Sequence, residues 1–383
     1  MRPICFLLST LLLSASVGAQ NAPQPESQNK KSQIVPLQLS IPVPPHAFRG
    51  NGKWHLSYEM YIANLSAASW TIHQISATSD SGANILTVNG QGLGNVISHF
   101  SGSHDKATAA EIAPGETVVA FLWIDLPLSA TIPASLHHEL AAVKQGSTSE
   151  FETEGPSVSV VNHLTAIESP LRGKAWMAAN GPSNVSVHRR SILVVDGTPH
   201  IAQRYAIDWV QIGPDNKTYK GDARDNHAYY CFGAEAHAIA DGVVVEEKDG
   251  IPENVPNEKP VVPINFETVA GNHINLDLGG GVYAMYAHFQ PGSLRVKVGD
   301  HVKAGQVLGL VGNTGNSSEP HLHFQLMDHN SPLGSEGLPY TMSYELIGTL
   351  GGSDQAPAID RLSAPESHHD DMPVENQVVD SQP

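Results

Sequence analysis

Apolar and polar residues alternate along much of the chain, and this two-residue period is typical of half-buried β-strands. The segment "WHLSYEMYIANLS" (54–66) alternates leucine, tyrosine, methionine and isoleucine with polar neighbours. Two further strand-like runs, "TVVAFLWIDLPL" (117–128) and "SEFETEGPSVSVVN" (149–162), are separated by turn residues. Short strands between turns predict an immunoglobulin-like β-sandwich over residues 34–163.

The rest of the chain divides by composition. Residues 1–19 combine an early arginine, a short apolar run and small residues before a glutamine, which predicts a cleaved export signal. The polar segment 20–33 is expected to be a flexible leader. Proline and glycine punctuate residues 164–185, which we interpret as a linker, whereas 186–350 return to strand-like alternation and are expected to form a second β domain. Residues 351–383 are acidic and poor in apolar side chains, which predicts a disordered tail.

The charge of the chain narrows the possible partners. A formal net charge of −17 at pH 7, without a block of lysine and arginine, argues against nucleic acid and against docking on an anionic membrane. The apolar run of the export signal is too short to span a bilayer, so we expect no integral membrane segment after its cleavage. The sequence therefore predicts an exported protein, either periplasmic or extracellular.

The segment "HLHFQL" (321–326) carries the first candidate chemistry. In a strand, residues two apart share a face, so His321, His323 and Gln325 point one way while the apolar residues between them face a core. Neutral imidazole is a preferred zinc ligand, but a catalytic zinc site needs three protein groups and a water. Two histidines alone are weak evidence for a metal, because such a pair is more often made of ordinary polar residues on a solvated sheet face.

Two other strands supply further candidates. "GVYAMYAHF" (281–289) places His288 near its end, and "QRYAIDWV" (203–210) is a nearly continuous apolar run after Arg204 that carries one acid, Asp208. An isolated carboxylate in such a strand is costly to bury unless it is paired or binds a metal. One acid and three histidines from separate strands therefore form a candidate metal and acid–base site.

The order of these segments resembles that of the lysostaphin/LytM-type zinc endopeptidases, which cut peptide bridges or stems in bacterial cell walls. The resemblance rests on "VKVGDHVKAGQVLGLVGNTGNSSEPHLHF" (296–324), "YAHF" just upstream and "AIADGVVVE" (238–246), and it covers about 200–326. It implies one Zn²⁺ ion and peptidoglycan peptides as the substrate. The predicted fold class is therefore all-β, with the sandwich followed by a lysostaphin-type antiparallel β-sheet peptidase core.

The resemblance also implies roles for individual residues. Asp208 and His323 would be zinc ligands, and His321 and His288 would polarise the attacking water and stabilise the oxyanion. The family's first ligand is a histidine four residues before the aspartate, but this chain has Arg204 there, and a guanidinium cannot ligate zinc. We expect Arg204 to bind an anionic group of the substrate or to form a salt bridge instead.

His188 is the candidate for the missing zinc ligand. "VHRRSILVVDGTPHIAQRYAID" (187–208) is typical of two strands around the Asp196-Gly197 turn. Folding the chain near this turn would place His188 opposite Asp208 on the same face. The alternative is a histidine at the end of a strand that makes only a structural hydrogen bond.

Three functions are compatible with these residues. The first is a secreted zinc endopeptidase that cleaves peptide bonds in peptidoglycan cross-bridges or stems with a metal-activated water. The second is a catalytically inactive cell-envelope regulator or peptidoglycan-binding module of the same fold, which the loss of the histidine at position 204 favours. Retention of Asp208, His288, His321 and His323 favours the enzyme. The third, a lipoyl- or biotinyl-type carrier, is disfavoured by the missing carrier-lysine hairpin and by the export signal.

Overall fold

β-Strands make up nearly all of the regular structure in the computed structural model, which describes residues 34–100, 105–353 and 356–381. The predicted export signal (1–19) and leader (20–33) lie outside these residues. Within the described part of the chain, no helix is long and apolar enough to cross a membrane. The all-β class predicted from the alternation is confirmed.

The N-terminal region contains two antiparallel sheets. Its strands are β1 Leu37–Ser40, β2 His46–Gly50, β3 Lys53–Asn64, β4 Trp70–Ser79, β5 Asn84–Asn89, β6 Ile97–His99, β7 Glu111–Ile112, β8 Thr117–Pro127, β9 Ser135–Lys144, β10 Glu150–Glu154 and β11 Val158–Ser159. A 3₁₀-helix, Gly90–Gly92, and the one-turn helix α1, Leu93–Val96, precede β6. One sheet contains β1, β2, β3, β6 and β8, and the other contains β4, β5, β7, β9, β10 and β11.

The inward residues of these two sheets form one hydrophobic core. Leu56, Tyr58, Met60 and Ile62 of β3, the residues whose alternation predicted a strand, are all buried in it. Ile75 of β4 belongs to the same core. The region thus has two facing sheets, as a sandwich has, while its immunoglobulin-like character stays a prediction.

The C-terminal region is organised around a long mixed sheet. The strands of the whole region are β12 Thr165–Ala166, β13 Gly173–Ala179, β14 Leu193–Val195, β15 Thr198–His200, β16 Ile207–Gln211, β17 Glu235–His237, β18 Gly242–Lys248, β19 Asn272–Asp277, β20 Tyr283–Phe289, β21 His301–Val302, β22 Val307–Leu310, β23 Leu322–Met327, β24 Gly337–Leu338, β25 Tyr340–Ser353, β26 Ala356–Asp371 and β27 Gln377–Ser381. The helix α2, Val187–Arg190, and a 3₁₀-helix, Asn226–Ala228, lie between strands. Along the sheet the strands run β12-β25-β27-β13-β16-β23-β20-β19-β18-β21.

Two segments differ from their sequence predictions. The predicted linker, 164–185, contains β13, which lies inside the sheet between β16 and β27. The predicted disordered tail, 351–383, contains β26 and β27, and Val378 and Val379 of β27 are fully buried on opposite faces of the sheet. The average composition of the tail concealed this short apolar pair, which is buried because a hydrophobic cluster lies on each face of the sheet.

Candidate metal and catalytic site

Four histidines and one aspartate line a cavity of about 350 Å³ in the C-terminal region: His188, Asp208, His288, His321 and His323. All five are buried, with at most 9% of their surface exposed. The five side chains come from α2, β16, β20 and β23 and the turn before β23. The structure therefore brings together five of the six site residues predicted from the sequence.

Strand pairing sets the spacing of the site. β16 and β23 are antiparallel neighbours, and Asp208 lies directly opposite His323. β20 borders β23 on its other side, where Ala287 lies opposite His323 and His288 is the next residue. Leu322 and Phe324 face the core, so the alternation of β23 presents His323 to the cavity as predicted.

His288 has an unusual backbone conformation. Its φ of 69° lies in the left-handed region, which side chains other than glycine rarely adopt. The ring Nδ1 lies 2.7 Å from the carbonyl oxygen of Thr314, and the backbone N–H of Gly312 donates to the His288 carbonyl at 3.1 Å. Such a conformation costs on the order of 1–3 kcal/mol and is found disproportionately at functional sites.

Asp208 is the centre of the cluster. One carboxylate oxygen lies 2.8 Å from His323 Nδ1 and 3.4 Å from His321 Nε2. The other lies 3.3 Å from His188 Nε2 and accepts a hydrogen bond of 2.8 Å from the Asn180 amide. Burial raises the pKa of Asp208, but His188 and His321 outweigh it and hold the pKa well below its usual range. The carboxylate is therefore ionised at neutral pH.

The donor set fits a zinc ion. The ligand atoms of His188, Asp208 and His323 all lie within 4.8 Å of one another. His323 Nε2 lies 2.8 Å from Gln325 Oε1, and His188 Nδ1 lies 3.4 Å from the Ala206 carbonyl. The second nitrogen of each ring is thus occupied by a neighbouring oxygen, so the nitrogens facing Asp208 are available to a cation held beside the carboxylate. Two imidazoles and a carboxylate with an open side are typical of catalytic zinc.

The other two histidines differ in protonation. Burial, followed by the charges of His321 and His323, lowers the pKa of His288 well below its ordinary value. Burial also lowers the pKa of His321, but Asp208 outweighs it and the net direction is upward. His321 Nδ1 lies 2.8 Å from the Glu319 carbonyl, which leaves Nε2 directed at the cavity. The site thus contains a neutral imidazole beside one that favours its charged form, and their ring centroids are 4.7 Å apart.

His188 reaches Asp208 by a different path from the predicted hairpin. The turn at Asp196-Gly197 joins only the short strands β14 and β15, in which Leu193 pairs with His200. Asp208 pairs instead with Ala179 and His323 in the long sheet. The predicted register is wrong, because the residues before β14 form the helix α2 instead of extending the strand. His188 faces the cavity from this helix.

Arg204 does not line this cavity, and its predicted contact with substrate is not supported by its position. The side chain is buried, with its Nε 2.9 Å from Glu59 and a terminal nitrogen 2.7 Å from Glu336. The salt bridge expected as the alternative is the arrangement observed. The partner Glu59 lies in β3 of the N-terminal region, a contact that local sequence patterns could not indicate.

Asn180 was missed by the sequence analysis. It binds the carboxylate of Asp208 from the end of β13, in a segment interpreted as a linker. Gln325, which supports His323, could be inferred to share its face from the alternation of "HLHFQL".

The C-terminal region matches known peptidases. The model of Peptidase family M23 matches residues 228–334. A lysostaphin of Staphylococcus staphylolyticus is 52% identical over 86 residues, which are 22% of this chain and 17% of the relative. A peptidoglycan DD-endopeptidase of Vibrio cholerae is 33% identical over 84 residues, which are 22% of this chain and 19% of that relative. The chain thus spans less than a fifth of the length of these relatives.

Solved structures of peptidases are also similar. The catalytic domain of lysostaphin from Staphylococcus simulans is 26% identical, with 43% of this chain and 88% of that chain covered and a TM-score of 0.24. A zinc-containing peptidase from Vibrio cholerae is 15% identical, with 74% of this chain and 82% of that chain covered and a TM-score of 0.26.

Proposed function

We propose that the protein is a zinc-dependent endopeptidase acting on peptidoglycan, and the match of residues 228–334 to Peptidase family M23 and the similarity to lysostaphin and to a peptidoglycan DD-endopeptidase support this. It would cleave peptide bonds in cross-bridges or stems, and it would do so after export to the periplasm or the extracellular space. The observation that carries the proposal is the convergence of His188, Asp208 and His323, whose ligand atoms lie within 4.8 Å of one another although Arg204 replaces the expected histidine.

In this proposal His188 Nε2, the Asp208 carboxylate and His323 Nδ1 hold the metal. A zinc ion in such a site supplies Lewis acidity, which polarises a peptide carbonyl and makes a water molecule acidic enough to act at neutral pH. The chain provides the orientation: Gln325 and the Ala206 carbonyl fix the two ligand rings, and Asn180 fixes the carboxylate.

The remaining histidines divide the proton chemistry. His288 donates its Nδ1–H to Thr314, so its Nε2 lone pair accepts a proton as water attacks the carbonyl carbon. His321 donates its Nδ1–H to the Glu319 carbonyl, and in its charged form Nε2–H donates to the oxyanion. The proton taken by His288 then passes to the leaving amine as the carbon–nitrogen bond breaks.

Metal content and hydrolysis test this proposal together. We expect the purified protein to bind one equivalent of zinc and to release new amino groups from isolated peptidoglycan sacculi. His188→Ala should lose most of its zinc and activity, whereas His301→Ala, a change at an exposed histidine of β21, should retain both. Zinc-free wild type without hydrolytic activity would instead support the inactive regulator, and zinc retained by His188→Ala would remove His188 from the ligand set.

A further inference from the structure

The helix α2 presents consecutive side chains to two different parts of the molecule. His188 faces the candidate metal site, with Nε2 3.3 Å from Asp208. The next residues, Arg189 and Arg190, face the N-terminal sheet that contains β3, β6 and β8. The helix therefore lies between the candidate metal site and a sheet that contributes no side chain to the site.

Arg189 binds two adjacent strands of the N-terminal region, and its Nη1 also donates to the Asn184 side chain just before α2. The side chain is fully buried, and its Nε lies 3.2 Å from the Glu59 carboxylate. Its Nη2 donates to the backbone carbonyls of Tyr58 in β3, at 3.0 Å, and of Leu122 in β8, at 2.8 Å. The guanidinium carbon also lies 5.5 Å from the centre of the Trp123 ring. These contacts join α2 to two adjacent strands.

Glu59 is shared between two arginines. Its Oε1 binds Arg189, and its Oε2 lies 2.9 Å from Nε of Arg204. Glu59 is only 2% exposed, so each charge depends on its partners for compensation. The arginine at the position where a histidine was expected and the helix that carries His188 are therefore held by one carboxylate.

A one-turn helix cannot hold itself in place. Helix formation needs several turns before its hydrogen bonds offset the cost of nucleation, so α2 depends on tertiary contacts. Val187, at its start, is 60% exposed and adds little apolar burial. Ser186 and Arg190 add hydrogen bonds at the two ends of the helix, and Arg189 is the residue of α2 with no exposed surface.

From this geometry we propose that Glu59 and Arg189 are positioning residues for the metal site. The N-terminal region completes the site by holding α2 so that His188 Nε2 faces Asp208. This inference rests on the proposed zinc function. It assigns the N-terminal region a part in binding metal, whereas a simple salt bridge between the two regions would contribute to stability alone.

The zinc affinity of Arg189→Met, measured by competition with a chelator, tests the proposal. Partners of metal ligands typically contribute a factor of about 10 to 100 in metal affinity, and we expect a loss in this range. Arg204→Met is the matched control, because it removes a buried arginine from the other oxygen of the same carboxylate. We expect its zinc affinity to stay close to that of wild type.

A double-mutant cycle separates positioning from general destabilisation. Once His188 is replaced by alanine, Arg189→Met should cause no further loss of zinc affinity, because the ligand it positions is absent. An equal loss with and without His188, or an equal loss in Arg204→Met, would overturn the proposal. If Arg189→Met does not fold, Arg189→Lys keeps the charge without the planar fork, and we expect an intermediate affinity.

Hydrogen exchange of the metal-free protein gives a readout that does not depend on zinc. The backbone N–H of Arg190 donates to the Ser186 carbonyl at 3.0 Å and reports the integrity of α2. It should exchange faster in Arg189→Met and at the wild-type rate in Arg204→Met. Unchanged exchange in Arg189→Met would contradict the positioning role, whereas faster exchange in a protein that binds no zinc would contradict only the zinc function.

Discussion

In each histidine of the site, the hydrogen-bond partner of one ring nitrogen determines whether the other nitrogen is available to bind a metal or accept a proton. Gln325 occupies Nε2 of His323, and the Thr314 carbonyl occupies Nδ1 of His288. The residue types were visible in the sequence, since a strand that alternates histidine with leucine and phenylalanine must present its histidines to one face. The carbonyl partners were not, because they belong to loops whose path depends on the whole fold.

His288→Asn tests the division between metal binding and proton transfer. Asparagine tolerates the left-handed φ of this position but cannot accept a proton from water. We expect kcat on isolated sacculi to fall by about 10²- to 10⁴-fold while the zinc content stays at the wild-type level. Loss of zinc in this variant would show that His288 belongs to the ligand set.

At the scale of elements, the alternation of apolar and polar residues predicted strands correctly. The average composition of a segment did not reveal the strands it contains. β3, β16, β20 and β23 lie where the sequence pattern placed strands. β13 and β27 were missed because one lies in a segment rich in proline and glycine and the other in an acidic tail. α2 was expected to be a strand, and its helical turn is fixed by the contacts of Arg189 with another region rather than by local propensity.

Val379→Asp tests the structural role of β27. Val379 is fully buried, and β27 pairs with β13, which in turn borders the strand of Asp208. An unpaired carboxylate at this position should reduce the free energy of unfolding by more than about 3 kcal/mol. Val298→Asp is the control, because Val298 is 56% exposed and its change should stay within about 0.5 kcal/mol. Urea denaturation measures both, and equal midpoints would contradict an ordered C-terminal strand.

At the scale of the whole molecule, charges are buried where the two regions meet. Glu59, Arg189, Arg204 and Glu336 form a chain of ion pairs from β3 to the turn before β24. Tyr205 adds a hydrogen bond of 2.9 Å with Ser57 in the same place. Such an arrangement favours one relative placement of the sheets, because a shifted packing would leave buried charges without their partners.

A partly buried histidine near the contact between the two regions should make the stability of the protein depend on pH. Burial, followed by the charge of Arg204, lowers the pKa of His46 in β2 to about 4. The unfolded chain, with an ordinary histidine pKa near 6.5, then binds more protons than the folded protein between these values, so this contribution is present above pH 6.5 and is lost as the pH falls. Between pH 6.5 and 5 the loss should be about 2 kcal/mol.

Urea unfolding at pH 7 and pH 5 measures this contribution. In His46→Gln the difference in the free energy of unfolding between the two pH values should shrink by that amount. His329→Gln, a change at a histidine whose side chain is 74% exposed, should leave the difference as in wild type. An unchanged difference in His46→Gln would show that other groups determine the acid sensitivity.

The shared carboxylate of Glu59 also decides what proteolytic processing can do to this protein. A cut between the two β regions, followed by their separation, would leave Arg189 and Arg204 in the C-terminal fragment without their common counter-ion. The fragment would then lose the support of α2 and with it a metal ligand. Clipping should therefore weaken zinc binding at the proposed site rather than strengthen it.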